Sequence, residues 1–154
     1  MLGRGPQIPM TYKTIVDLLE KVFNELPEGV DLAKGGVGEI ALAHHLGHEL
    51  IAGDKGADGR DAEGNEFEYK VSTTDQFNFH FGARTENPGS PVIKHFEGVA
   101  GAYCAKREGM KITEVVFVPS HLLVPALILH FNGTVGGQLN KNYRLKSFSA
   151  LNNS

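Results

Sequence analysis

Between residues 66 and 71 the chain reads Glu66-Phe67-Glu68-Tyr69-Lys70-Val71, charged and apolar side chains in strict alternation. A period of two belongs to a β-strand, whose successive side chains leave opposite faces of a sheet. The segment predicts a strand that buries Phe67, Tyr69 and Val71 and presents Glu66, Glu68 and Lys70 on its other face. Glu49-Leu50-Ile51 reads as a shorter strand upstream, and Gly53, Gly56, Gly59 and Gly64 punctuate the stretch between them. A hairpin is expected there.

Helical signals surround this hairpin. Ile15, Leu18, Leu19, Val22 and Leu26 follow the rhythm of one helical face within a helix from Tyr12 to Leu26, ended by Pro27, Glu28 and Gly29. A second helix starts after Gly35-Gly36, carries Ile40, Ala41, Ala43, His44 and Leu46, and stops at Gly47. Pro91 opens a helix through Phe96; Val99 to Ala105 and Ile112 to Val118 read as strands at the centre of the sheet, separated by the Arg107-Glu108-Gly109 turn. Ser120 is a candidate N-cap for a helix from His121 to Phe131, with Pro125 an expected irregularity. The tail from Gly133 to Ser154 is rich in Asn and Gly with interspersed basic residues. The predicted class is α/β (α+β), a mixed central β-sheet flanked by helices, in one domain over residues 1–154.

Composition narrows the function classes. With 41% hydrophobic and 21% charged residues the chain is globular in type. Cys104 stands alone, which excludes an intramolecular disulfide framework and a cysteine zinc site and fits a reducing, cytoplasmic setting. Met1 to Met10 contain no apolar signal core and no run approaches the length of a membrane span, so no membrane association is expected. A net charge of -3 argues against a protein that coats nucleic acid with its whole surface, and leaves a local cleft open.

Hydrolysis of a phosphodiester requires neutralisation of the phosphate, a water held for attack and relief of charge on the leaving oxygen. Mg²⁺ takes hard oxygen ligands and retains several waters, so one or two carboxylates hold it against a phosphate. Asp58 and Glu68 are candidates for that pair. Lys70 shares a strand face with Glu68, about 7 Å along the chain at a rise of roughly 3.3 Å per residue, within reach of a water at the metal. The turn from Ala62 to Asn65 would fold Asp58 back beside Glu68, and Gly59 would leave room for phosphate. Two readings stay open on these residues alone: a metal site for phosphodiester hydrolysis, and a solvated hairpin face.

Asp58, nine intervening residues and Glu68-Tyr69-Lys70 resemble the PD-(D/E)XK signature of restriction enzymes and related nucleases, with Ala57 where the motif's proline would stand. Gly38-Glu39 opening an apolar helix resembles that superfamily's first core helix, whose acid sometimes joins the site. More specifically, Gly35 to Leu151 is similar to PvuII-type restriction endonucleases. The likeness rests on Gly-Gly before the helix, on Gly47, Gly53 and Gly56, and on Asp58 with Glu68-Tyr69-Lys70. Asn87-Pro88, Pro91-Val92-Ile93 and Asn140-Lys141-Asn142 extend it.

The resemblance implies a restriction-endonuclease-like fold, a homodimer, and Mg²⁺-dependent cleavage of double-stranded DNA at a specific short sequence, leaving a 5′-phosphate and a 3′-hydroxyl. It implies metal ligation by Asp58, Glu68 and the carbonyl of Tyr69, with Lys70 orienting or deprotonating the attacking water. A family acid three positions before the first Asp is replaced by Lys55, which disfavours a second metal unless Glu39 substitutes. His80, Arg84, Asn140, Lys141 and Asn142 stand where the family reads bases, and Asn suits adenine as Arg or Lys suits guanine. The helix from Tyr12 to Leu26 is a candidate dimerisation element, since a palindromic site calls for a twofold dimer. A junction resolvase or repair nuclease of the same superfamily, and a non-catalytic α/β binding domain, are the alternatives.

Other residues carry plainer expectations. His44 and His48 lie one helical turn apart without an evident third ligand, and are expected to be helical residues facing solvent or a neighbouring helix. Gly36-Val37-Gly38-Glu39-Ile40-Ala41 mimics a dinucleotide fingerprint, but no strand precedes it. Asp61 reads as a turn residue and Cys104 as inert core.

Overall fold

A computed structural model describes residues 10–26, 30–32, 35–51, 57–83, 89–132 and 138–153. The chain is mixed α/β, with a mixed central sheet flanked by helices. Its helices are α1 (Met10–Glu25), α2 (Gly36–Leu46), α3 (Gly89–His95), α4 (Ser120–Asn132) and α5 (Leu145–Asn152). Its strands are β1 (Glu49–Leu50), β2 (Gly59–Arg60), β3 (Glu66–Ser72), β4 (Phe77–Ala83), β5 (Val99–Glu108), β6 (Lys111–Pro119) and β7 (Gln138–Tyr143). No helix among the described residues is long and apolar enough to cross a membrane.

The five-stranded sheet has the order β1-β2-β3-β5-β6, so the alternating strand β3 lies at its middle. β3 and β5 run parallel, joined by the β4–α3 excursion; the other neighbours are antiparallel. The expectation that β5 and β6 form the centre is corrected: β6 is an edge strand. The expected simple hairpin is also corrected. β1 pairs with the two-residue β2, and β2 pairs with β3, Gly59 opposite Phe67 and Arg60 opposite Glu66. So short a strand has no legible periodicity of its own.

Alternation along β3 and β5 divides the apolar residues between the two faces of the sheet. Phe67, Tyr69, Val71, Tyr103 and Phe117 pack with Ala41, Leu42 and Ala43 of α2 on one side. On the other, Ala102, Cys104 and Val118 meet Val92 and Phe96 from α3 and its end, Leu123, Leu127 and Phe131 of α4, and Phe148 of α5. Phe77 and Phe79 of β4 and Leu139 and Tyr143 of β7 complete this larger core. Side chains of this size each contribute about 1.5–3 kcal/mol on full burial.

The Asn- and Gly-rich tail, for which no element was predicted, carries β7 and α5. β7 pairs with β4 in a separate two-stranded ribbon. Tertiary pairing, with Leu139 and Tyr143 turned inward, overrides the weak strand preference of Asn and Lys. α4 continues through Pro125, and Ser120 donates its hydroxyl to the Val99 carbonyl at 2.6 Å. Asp61 does hold a turn: its Oδ1 accepts from the Glu63 and Asn65 amides at 3.0 and 2.9 Å. Pro27-Glu28-Gly29, Gly53, Lys55, Gly56 and Asn87-Pro88 lie outside the described residues.

Candidate active site

Glu68 sits on the middle strand, with its side chain only 8% exposed. Two residues on, Lys70 leaves the same face, and its Nζ lies 3.5 Å from Glu68 Oε1. The lysine ammonium also sits 5.1 Å from the centre of the Phe79 ring, a cation–π contact that holds the long side chain over the sheet. Strand alternation alone placed these two residues together, and the folded chain brings their charged ends into contact.

Asp58 arrives through the backbone. Its amide donates to the Phe67 carbonyl at 2.9 Å, and its Oδ2 accepts the Tyr69 amide, also at 2.9 Å. The carboxylate is thereby fixed beside β3, at the residue just before β2 begins. Glu39, in the first turn of α2, comes in because Gly38 packs against Val71: a Cβ at Gly38 would lie 2.8 Å from Val71 Cβ. That close approach needs glycine.

Carboxylates crowded in a desolvated place resist ionisation. Burial, then the negative charge of Glu68, push Asp58 up to about 7, against the hydrogen bond from the Tyr69 amide. Glu39 is raised by burial first and Glu68 second, with Lys70 opposing. One ammonium thus faces several acids. A divalent cation would relieve this repulsion, and hard carboxylate oxygens are the donors Mg²⁺ prefers. Among the described residues no group of three His, Cys, Asp or Glu side chains is arranged to hold a metal. Asp58 and Glu68 are the carboxylates here that could hold such an ion with water completing its shell, because Mg²⁺ keeps most of its hydration.

His95 is the site residue that sequence reasoning missed. It stands at the end of α3, with Nε2 3.2 Å from Glu68 Oε2. The only signal was its place between Val92 and Phe96, whose spacing of four turns both inward and leaves His95 on the helix shoulder.

Gly59 does not face this site. The Tyr69 hydroxyl lies where a Gly59 Cβ would be, so the glycine makes room for an aromatic ring, and the expectation of a phosphate there is corrected. The expectation for His48 is corrected: it lies past the end of α2 and packs on the aromatic side of the sheet, its Nδ1 2.8 Å from the Tyr69 hydroxyl and its ring stacked on Phe67 at 5.1 Å between centroids. His44 is exposed. Cys104 is fully buried opposite Lys70 in the β3–β5 register, and burial pushes its thiol well up.

Of the remaining candidates, His80 and Asn140 face one another across the β4–β7 ribbon, and Asn78 faces Asn142. All four side chains are on the exposed face. Asn78 Nδ2 donates to Asn142 Oδ1 at 2.9 Å and also to Asn140 Oδ1. Asn78 was not legible in advance, because neither strand of the ribbon that aligns it was predicted. Lys141 falls on the opposite face, paired with Phe79, its ammonium 5.1 Å from the Tyr143 ring centre. Arg84 lies outside the described residues. No protein-family model matches the chain, and no curated protein matches it at a significant level.

Proposed function

We propose that the chain is a Mg²⁺-dependent endodeoxyribonuclease of the PD-(D/E)XK type with a restriction-endonuclease-like fold. The observation that carries this reading is the convergence of Asp58, Glu68 and Lys70 at the middle strand of the sheet, with Lys70 Nζ 3.5 Å from Glu68 Oε1 and Asp58 hydrogen-bonded to the Tyr69 amide.

In this reading Asp58, Glu68 and the Tyr69 carbonyl hold the cation, and Glu39 is an accessory acid. Bound Mg²⁺ supplies Lewis acidity toward the phosphate and lowers the pKa of a coordinated water. Lys70, held over Phe79 and beside Glu68, donates to the attacking water and to the phosphate, fixing the line of attack and offsetting charge as it develops. The exposed row of Asn78, His80, Asn140 and Asn142 suits the major-groove edges of duplex DNA, where an amide pairs bidentately with adenine. This row supports cleavage at a specific short sequence, as by a type II restriction endonuclease. A homodimer through α1 fits the same reading. Tyr12, Ile15, Val16, Leu18, Leu19, Val22 and Phe23 are each at least 41% exposed along that helix.

Digestion of long duplex DNA with Mg²⁺ tests the proposal. Wild type should give discrete fragments, and Asp58→Ala and Lys70→Ala should each reduce cleavage by about 10²–10⁴-fold. Undiminished cleavage by both variants would sink the assignment. Cleavage confined to branched DNA would replace the restriction reading with that of a resolvase.

A further inference from the structure

We propose that His95 is a positioning residue that fixes the Glu68 carboxylate for cation binding; this rests on the nuclease reading of the same site. Glu68 is the one charged side chain among the described residues that is buried, and a buried carboxylate needs donors on both oxygens. Lys70 Nζ lies 3.5 Å from Oε1 and His95 Nε2 lies 3.2 Å from Oε2, so each oxygen has its own basic group within ion-pair distance. With a separate basic group at each oxygen, the carboxylate is braced against rotation about its terminal bond.

The imidazole is itself held. Val92 and Phe96, on either side of His95, are 0% and 5% exposed and anchor the end of α3 in the core. The His95 ring meets Phe81 and Phe96 edge to face, at centroid distances of 5.4 and 5.0 Å. A neutral imidazole with its proton on Nε2 can donate to Oε2 just as the charged ring can, so the brace does not depend on the charge of His95. Groups that orient metal-ligating side chains in this way typically change metal affinity or activity 10–100-fold when removed.

The test is Mn²⁺ titration of the whole chain followed by electron paramagnetic resonance, with Mg²⁺-dependent cleavage in parallel. His95→Leu should weaken Mn²⁺ binding by about 10–100-fold and raise the Mg²⁺ concentration for half-maximal cleavage in proportion. His95→Gln, whose terminal amide can stand near the Nε2 position, should recover binding to within a few-fold of wild type. If His95→Leu does not fold, His95→Gln against His95→Asn, too short to reach Oε2, gives the same comparison. Wild-type affinity in His95→Leu or His95→Asn overturns the proposal, as does a His95→Gln protein no better than they are. If those results come with intact wild-type cleavage, only the role of His95 falls. A wild type that neither binds Mn²⁺ nor cleaves DNA overturns the nuclease reading and this inference together.

Discussion

The two faces of β3 are built from alternate residues of one strand and have opposite energetics. On one, Phe67 and Tyr69 stack with His48 and meet Tyr103 and Phe117 edge to face, and the Tyr69 hydroxyl has a partner in His48 Nδ1 at 2.8 Å. On the other, Glu68 meets Lys70 at 3.5 Å while Asp58 and Glu39, brought in from beside the strand, add negative charge; burial first and Glu68 second raise Asp58 to about 7. The aromatic face lowers the free energy of the fold. The acid face raises it wherever its buried carboxylates are ionised together.

Truncating the aromatic face should have the largest effect on folding. Phe67 is 6% exposed and packs against Tyr103 and Phe117 at centroid distances of 5.1 and 5.8 Å. Phe67→Ala should lose about 3–5 kcal/mol in denaturant unfolding. A loss under 1 kcal/mol would mean that this face does not stabilise the sheet.

Relieving the acid face should do the reverse, with a smaller magnitude. The folded state holds the Asp58 proton more tightly than the unfolded chain does, its pKa being raised from 3.8 to about 7. Its contribution to stability is therefore complete below pH 3.8 and is lost as pH rises through 7. In metal-free protein at pH 8, Asp58→Asn should gain on the order of 2–3 kcal/mol, and near pH 4 it should gain little. Mg²⁺ should raise the melting temperature of wild type at pH 8 and leave that of Asp58→Asn nearly unchanged. A variant less stable than wild type at pH 8 would show that the acid face is not under repulsion.

The difference between the faces also explains what the sequence disclosed. Glu68 and Lys70 were legible because alternation is local, and Asp58 because a turn closes the short path between them. The α2 boundaries were marked by Gly35 and Gly47, both with positive φ at the helix ends. β7 was hidden because its pairing partner β4 lies more than fifty residues away and its polar face carries Asn140 and Asn142, residues with low strand preference. His95 was hidden for the same reason: its partner Glu68 comes from a different element, and nothing local to α3 records that contact.

The sharpest probe of the boundary between the faces is Tyr69, whose backbone serves one and whose ring serves the other. Its amide donates to Asp58 Oδ2 at 2.9 Å, while its hydroxyl meets His48 Nδ1. Tyr69→Phe keeps the amide and the ring and removes only the hydroxyl, leaving His48 Nδ1 without that partner. The loss of one such hydrogen bond is about 1 kcal/mol, the smallest of these effects. Because the amide that fixes Asp58 is unaltered, Mg²⁺-dependent cleavage should stay within a few-fold of wild type. Urea unfolding and a metal titration of this variant measure the two faces independently. A large loss of metal affinity with little loss of stability would mean that the aromatic side reaches through the strand to set the acids, and that the two faces are one device.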